Sequence, residues 1–186
     1  CLEREVNGYK VRMYNYLLAD YHDFKDNNAF ELRGLTFVYN PYINEWERHL
    51  LLTKFFNLNQ VPDFMLEDVQ HKKIVRIQEK ADGSIISFVR FPNGKVLAKS
   101  KMSFESDQAK MAQEIYDHSK DLQDAIEFAN DMDEILIFEL VSPLNQIVLN
   151  YISTELILLQ VRNSKTGEYK NHKLKTITTI IRYLIY

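Results

Sequence analysis

The sequence predicts an α+β domain of antiparallel sheets with flanking helices. Three observations carry this. Alternating, aromatic-rich segments fill the first hundred residues, two helical periodicities occupy the middle, and near-continuous apolar runs follow. Strands, then helices, then strands again is the order of such a fold.

The elements follow in turn. YKVRMYNYLL (9–18) alternates and is rich in aromatics, as a strand is. AFELRGLTFVYN (29–40) places Glu31, Arg33, Leu35 and Phe37 on one face and Phe30, Leu32, Gly34 and Thr36 on the other. SIISFVRF, PNGK and VLAKSKMSF read as a hairpin turning at Asn93-Gly94. Ser106 suits an N-cap, with Ala109, Ala112 and Tyr116 at helical spacing behind it. A second helix runs through Leu122, Ala125, Ile126 and Ala129. EILIFELV (134–141), QIVLNY (146–151) and ELILLQVR (155–162) read as three strands of a buried sheet. Residues 165–168 form a turn, and the last fifteen residues fit helix or strand equally. No repeat or linker divides the chain, so residues 1–186 read as one domain with a real core.

Composition narrows the function classes. Hydrophobic residues make up 46% and charged residues 26%, the balance of a soluble globular chain. A net charge of -3 excludes a generally basic coat for nucleic acid, so any polyanion site is a local cluster of Lys and Arg. One cysteine allows no internal disulfide and favours a reducing compartment. The five histidines lack zinc-ligand spacing, and no apolar run reaches membrane-spanning length. The chain begins with Cys and ends on TITTIIRYLIY, so the expectation is a fragment.

The five glycines form neither a G-x-G-x-x-G fingerprint, a P-loop, nor a G-x-S-x-G elbow. Lys80-Ala81-Asp82-Gly83-Ser84 stands out instead. A lysine amine attacks phosphorus or carbonyl carbon once deprotonated, which burial or nearby cations promote. Gly83 permits a tight turn or a close backbone approach. A surface turn opening a strand is the plainer explanation of the same residues. Other segments bear on the choice. Arg33 precedes a glycine, Lys54 precedes Phe55 and Phe56, and Lys99 and Lys101 sit two apart on one expected strand face. Glu139 lies inside an apolar strand, where a carboxylate needs a partner. Taken singly, the cations suit solvent-facing strand positions, Glu139 a structural ion pair, and the phenylalanines core.

ELRG, KFFNLN, KADGS, KSK and FELVSPLNQIVL, in this order, resemble the ATP-dependent RNA ligase 1 family, the bacteriophage-type RNA-joining enzymes. The resemblance runs from about Tyr14 to Arg162. That family belongs to the covalent nucleotidyltransferases, with DNA ligases and capping enzymes. It implies a nucleotidyltransferase (ATP-grasp-like ligase) fold and residues 1–186 as a single, partial adenylyltransferase domain. It implies ATP and Mg2+ as cofactors and Lys80 as the nucleophile forming lysyl-AMP. Asp82 and Gly83 complete the motif. Glu139 contacts the nucleotide ribose or a hydrated metal ion. Arg33, Lys54, Lys99 and Lys101 handle the nucleotide and its phosphates. Leu159 and Val161 wall the adenine, and the Glu79 backbone reads its edge. The implied partners are RNA with 5'-phosphate and 3'-hydroxyl ends, tRNA foremost, and an end-healing kinase or phosphatase. The implied setting is bacterial or phage-infected host cytoplasm, with no membrane.

The sequence also departs from the pattern. The family's later Glu-Gly strand start and Lys-x-Lys strand do not follow Glu139. Lys173-Leu174-Lys175 has the spacing but comes too early, and Met102 stands where a small residue is expected. A related DNA ligase or capping enzyme, or a catalytically inactive RNA-binding domain, are the competing expectations.

Overall fold

The computed structural model describes residues 1–74, 77, 80–145, 149–170 and 182–184. Asn7 and Gly8, with φ of 53° and 79°, join β1 (Leu2–Val6) to β2 (Tyr9–Asn15). A two-residue turn with both φ positive matches the right-handed twist of its strands. β3 (Arg33–Asn40) and β4 (Glu45–His49) complete a four-stranded antiparallel sheet in the order β1-β2-β3-β4. β3 is shorter than its alternation suggested, because residues 29–32 turn into it. From Arg33 on, half-buried and buried residues alternate without a break. Leu17 and Leu18 fall beyond β2 and are exposed. Between β2 and β3 lies α1 (Tyr21–Asp26), capped reciprocally by Asp20 and Asp23. A single turn, α2 (Leu66–Val69), follows β4.

The second sheet has the order β6-β5-β7-β8-β9, with every neighbouring pair antiparallel. Its strands are β5 (Ser84–Arg90), β6 (Val96–Lys99), β7 (Glu134–Val141), β8 (Glu155–Asn163) and β9 (Arg182–Leu184). β5 and β6 form the expected hairpin, with Gly94 at φ 82°. α3 (Asp107–His118) is capped by the Ser106 hydroxyl, which accepts from the Ala109 N–H, and α4 (Lys120–Asp131) is capped by Ser119 in the same way.

The expected strand over 146–151 is corrected in part. Gln146, Ile147 and Val148 lie outside the described residues, while Leu149, Asn150 and Tyr151 belong to no strand. The Leu149 N–H donates to the Asp82 carboxylate, and the Tyr151 hydroxyl accepts from the Asp82 N–H. This stretch therefore bonds to the turn before β5 instead of entering a ladder.

Three layers result. Ala112, Ile115, Leu122 and Ile126 of the helices pack on Ile86, Phe88, Phe138 and Leu140 of the five-stranded sheet. Its other face meets the four-stranded sheet through Val11, Met13, Val38 and Val89, and through Leu50, Leu51, Ile135 and Ile137. Each buried Val, Leu, Ile, Met or Phe among them contributes roughly 1.5–3 kcal/mol. Among the described residues no helix is long and apolar enough to cross a membrane.

Candidate active site

One end of the seam between the sheets opens into a cavity of about 1020 Å³. Its first wall comes from β5, β7 and β8. Lys80 is exposed at the mouth, and Ala81, Asp82 and Gly83 lead from it into β5. Gly83 does not have a positive φ. A Cβ there would overlap the Leu140 carbonyl oxygen, so the glycine serves the close approach of β5 to β7.

Glu139 faces Ile85 across that ladder and continues the Ile135, Ile137 face of β7. Its Oε1 accepts from the Gly83 N–H at 3.1 Å. Burial pushes the Glu139 carboxyl above the usual range, against the pull of the Gly83 amide, Lys80 and Arg33; Asp82 adds to the push. Asp82 is 8% exposed and fastens the 149–151 segment through the two bonds described above.

Leu159 and Val161 were expected to share one wall. A bulge separates them: Leu158 pairs with Phe138 and Gln160 with Ile137, leaving Leu159 as the extra residue. Leu159 and Gln160 both line the cavity. Val161 pairs with Leu136 on the helix-facing side and lines no part of it. Alternation across an extra residue reverses the face, which corrects that expectation.

The opposite wall is cationic. Arg33 begins β3, with its guanidinium 5.5 Å from the Phe55 ring. Its Nη1 is buried and has no hydrogen-bond partner among the described residues. Lys101 lines the cavity beside it and is pushed down by burial first and by Arg33 second.

Lys99 differs from Lys101, although two residues separate them. β6 ends at Lys99 and the chain bends at Lys101, so the shared face is lost. Lys99 is 0% exposed and does not line the cavity. Burial lowers it to about 7. Lys54 also turns away: its Nζ donates to the Phe55 carbonyl at 2.7 Å and lies 4.0 Å from the centre of the Phe56 ring. Burial and then Arg33 push its amine down. The two phenylalanines divide as well. Phe55 is 55% exposed and lines the cavity, whereas Phe56 packs on Tyr21, Phe24 and Phe64. Glu79 lies outside the described residues.

Sequence reasoning missed Thr53, Ser100, Gln108 and Tyr169, which also line the cavity. The Tyr169 hydroxyl accepts from the Thr53 N–H at 2.8 Å and shares a bond with the Thr53 hydroxyl at 2.6 Å. Its ring centre lies 4.4 Å from the Arg162 guanidinium. Arg162 is fully buried, paired to both Glu31 oxygens at 2.7 and 2.9 Å and to the carbonyls of Gly167 and Leu51. A charge ending the apolar run ELILLQVR, with Glu31 in ELRG as partner, was the available signal.

The cavity thus joins cations (Lys80, Arg33, Lys101), one carboxylate with a raised pKa, and apolar surface from Ile85, Leu159 and Phe55. An anion with a flat ring fits such a lining. Among the described residues no three His, Cys, Asp or Glu gather as a metal cage. Of the two cavity carboxylates, Asp82 and Glu139, Glu139 is the one that could hold a hydrated divalent ion.

Two stacked antiparallel sheets with this lysine turn on the cavity between them are a fold shared with solved structures titled ATP-dependent RNA ligases. The molecule superposes on the structure titled archaeal ATP-dependent RNA ligase, form 1, with a TM-score of 0.65 at 14% identity, covering 100% of this chain and 47% of that one. For form 2 the TM-score is 0.59 at 16% identity, covering 90% and 41%. The RNA ligase family model matches residues 31–183, and the chain belongs to that family. It is 29% identical over 182 residues to the Thermovibrio ammonificans protein named "Putative RNA ligase", covering 89% of this chain and 45% of that protein. The chain spans about half the length of the relatives it matches.

Proposed function

We propose that residues 1–186 form the adenylyltransferase domain of an ATP-dependent RNA ligase. The observation that carries this is the convergence of Lys80, Arg33, Lys101 and Glu139 on one cavity. Lys80 Nζ attacks the α-phosphorus of ATP. A P–N bond forms, the bond to the β-phosphate oxygen breaks, the amine loses its proton and pyrophosphate leaves. Arg33 and Lys101 stabilise the charge that grows on the leaving group, and the Arg33 Nη1, without a hydrogen-bond partner among the described residues, supports that assignment. Glu139 is the residue that would hold a hydrated magnesium ion, which would supply neutralisation of phosphate charge. Lys54 supports Phe55, and Asp82 and Gly83 shape the turn. Leu159 walls the adenine, and the Glu79 backbone reads its edge.

An RNA 5'-phosphate oxygen then attacks the lysyl-AMP phosphorus and frees Lys80. A 3'-hydroxyl attacks the activated 5'-phosphate and displaces AMP. RNA repair, with tRNA as substrate and a kinase or phosphatase preparing the ends in a bacterial or phage-infected cytoplasm, is the setting this chemistry suits.

The test is joining of 5'-phosphorylated to 3'-hydroxyl RNA by the full-length protein with ATP and magnesium, against GTP and against nicked DNA. RNA joining that requires ATP is expected. Preference for GTP or nicked DNA assigns a related nucleotidyltransferase, and RNA binding without joining assigns a binding domain.

A further inference from the structure

We infer that Lys99 is a positioning residue for the cavity: its ammonium ties the backbone behind Arg33 to the backbone of Lys101, holding two mutually repelling cations side by side. The inference rests on the proposed nucleotide site and adds a residue that never touches the nucleotide.

Lys99 Nζ donates to the carbonyls of Gly34 at 3.2 Å, Ser100 at 3.0 Å and Lys101 at 3.1 Å. An ammonium has three N–H donors and here has three acceptors, so the match is complete. Gly34 directly follows Arg33, and Ser100 and Lys101 line the cavity themselves. The segments touch closely: a Cβ on Gly34, whose φ is +77°, would lie 2.5 Å from the Lys101 carbonyl oxygen.

The clamp has an electrostatic reason. Arg33 and Lys101 repel, as the pull of Arg33 on the Lys101 amine shows. Three carbonyls also converge on one buried point and need donors. An apolar side chain of equal length would fill the space without the cost of burying a charge, yet would take this donor from the Ser100 and Lys101 carbonyls and leave the Gly34 carbonyl only the Thr36 hydroxyl at 3.1 Å. The neighbouring titratable group is His49, held neutral by burial and by Lys99 and hydrogen-bonded to Ser87 at 2.9 Å.

The test measures ATP affinity by calorimetry, with magnesium, in the Lys80→Ala protein, where no covalent step intervenes. Lys99→Met, Lys101→Ala and their combination form a double-mutant cycle. Lys99→Met is expected to weaken ATP roughly tenfold to a hundredfold, the effect of displaced binding groups. The combination is expected to fall well short of the product of the two single effects. If Lys99→Met does not fold, Lys99→Gln, which keeps two N–H donors, carries the same cycle. Unchanged affinity in a folded Lys99 variant, or losses that multiply, overturns the inference alone. Failure of the Lys80→Ala parent to bind ATP overturns it together with the ligase proposal.

Discussion

The two walls of the cavity are built by different rules. The wall of β5, β7 and β8 is a ladder in which Ile85 faces Glu139 and every side chain is aimed by the two-residue period of a strand. The facing wall runs from Arg33, through the irregular chain at Thr53 and Phe55, to the bend at Lys101. Single side chains reaching backbone carbonyls hold it: Lys99 on Gly34, Ser100 and Lys101, and Arg162 on Leu51 and Gly167. A ladder spreads its positioning over many bonds. The irregular wall concentrates it in a few buried cations, and each of these is a point of failure.

Three changes break or sharpen this contrast. The largest effect is expected from Gly83→Ala on the ladder side. The new Cβ overlaps the Leu140 carbonyl and pries β5 from β7. Circular dichroism is expected to show loss of cooperative folding, since overpacking against backbone has no side chain to yield. On the irregular side, Arg162→Met is expected to cost about 3–5 kcal/mol in urea unfolding while a folded state survives. It leaves the Leu51 and Gly167 carbonyls without this donor and the half-exposed Glu31 without its partner, and it removes the cation under the Tyr169 ring.

The smallest effect lies at the seam joining the walls, where burial and Lys99 lower His49 from 6.5 to about 3. Between those values the unfolded chain takes up a proton that folded His49 refuses. Stability therefore rises with pH from about 3 to 6.5 and is lost as pH falls through that window. Unfolding free energies from urea titrations at pH 4 and pH 7 are expected to differ by a few kcal/mol in wild type. A His49→Gln variant is expected to narrow that difference.

The same contrast explains what the sequence made legible. The α+β order, the Asn93-Gly94 hairpin, both long helices with the Ser106 cap, β7 and β8 all follow from periodicity and turn chemistry. β1 was missed although Asn7-Gly8 signals its turn, because a five-residue strand with three charges, LEREV, carries little apolar pattern. β4, EWERH, was missed for the same reason. In the site, the KADGS turn and Glu139 were legible because a charge beside apolar strands is conspicuous. The face of Val161 was not, because one bulge reverses alternation and leaves no mark in composition. Lys99 and Lys101 looked equivalent until the chain bent at Lys101, and Tyr169 is set at the cavity by long-range contacts, its bridge to Arg162 and its bond to Thr53.

The central claim is that Lys80 is the atom-bonding residue of this cavity. Intact mass of the full-length protein after incubation with ATP and magnesium tests it most directly, beside a Lys80→Ala variant. One AMP on the wild-type protein and none on the variant is the predicted result. AMP still attached to Lys80→Ala, or no adduct on a folded wild-type protein, would contradict it.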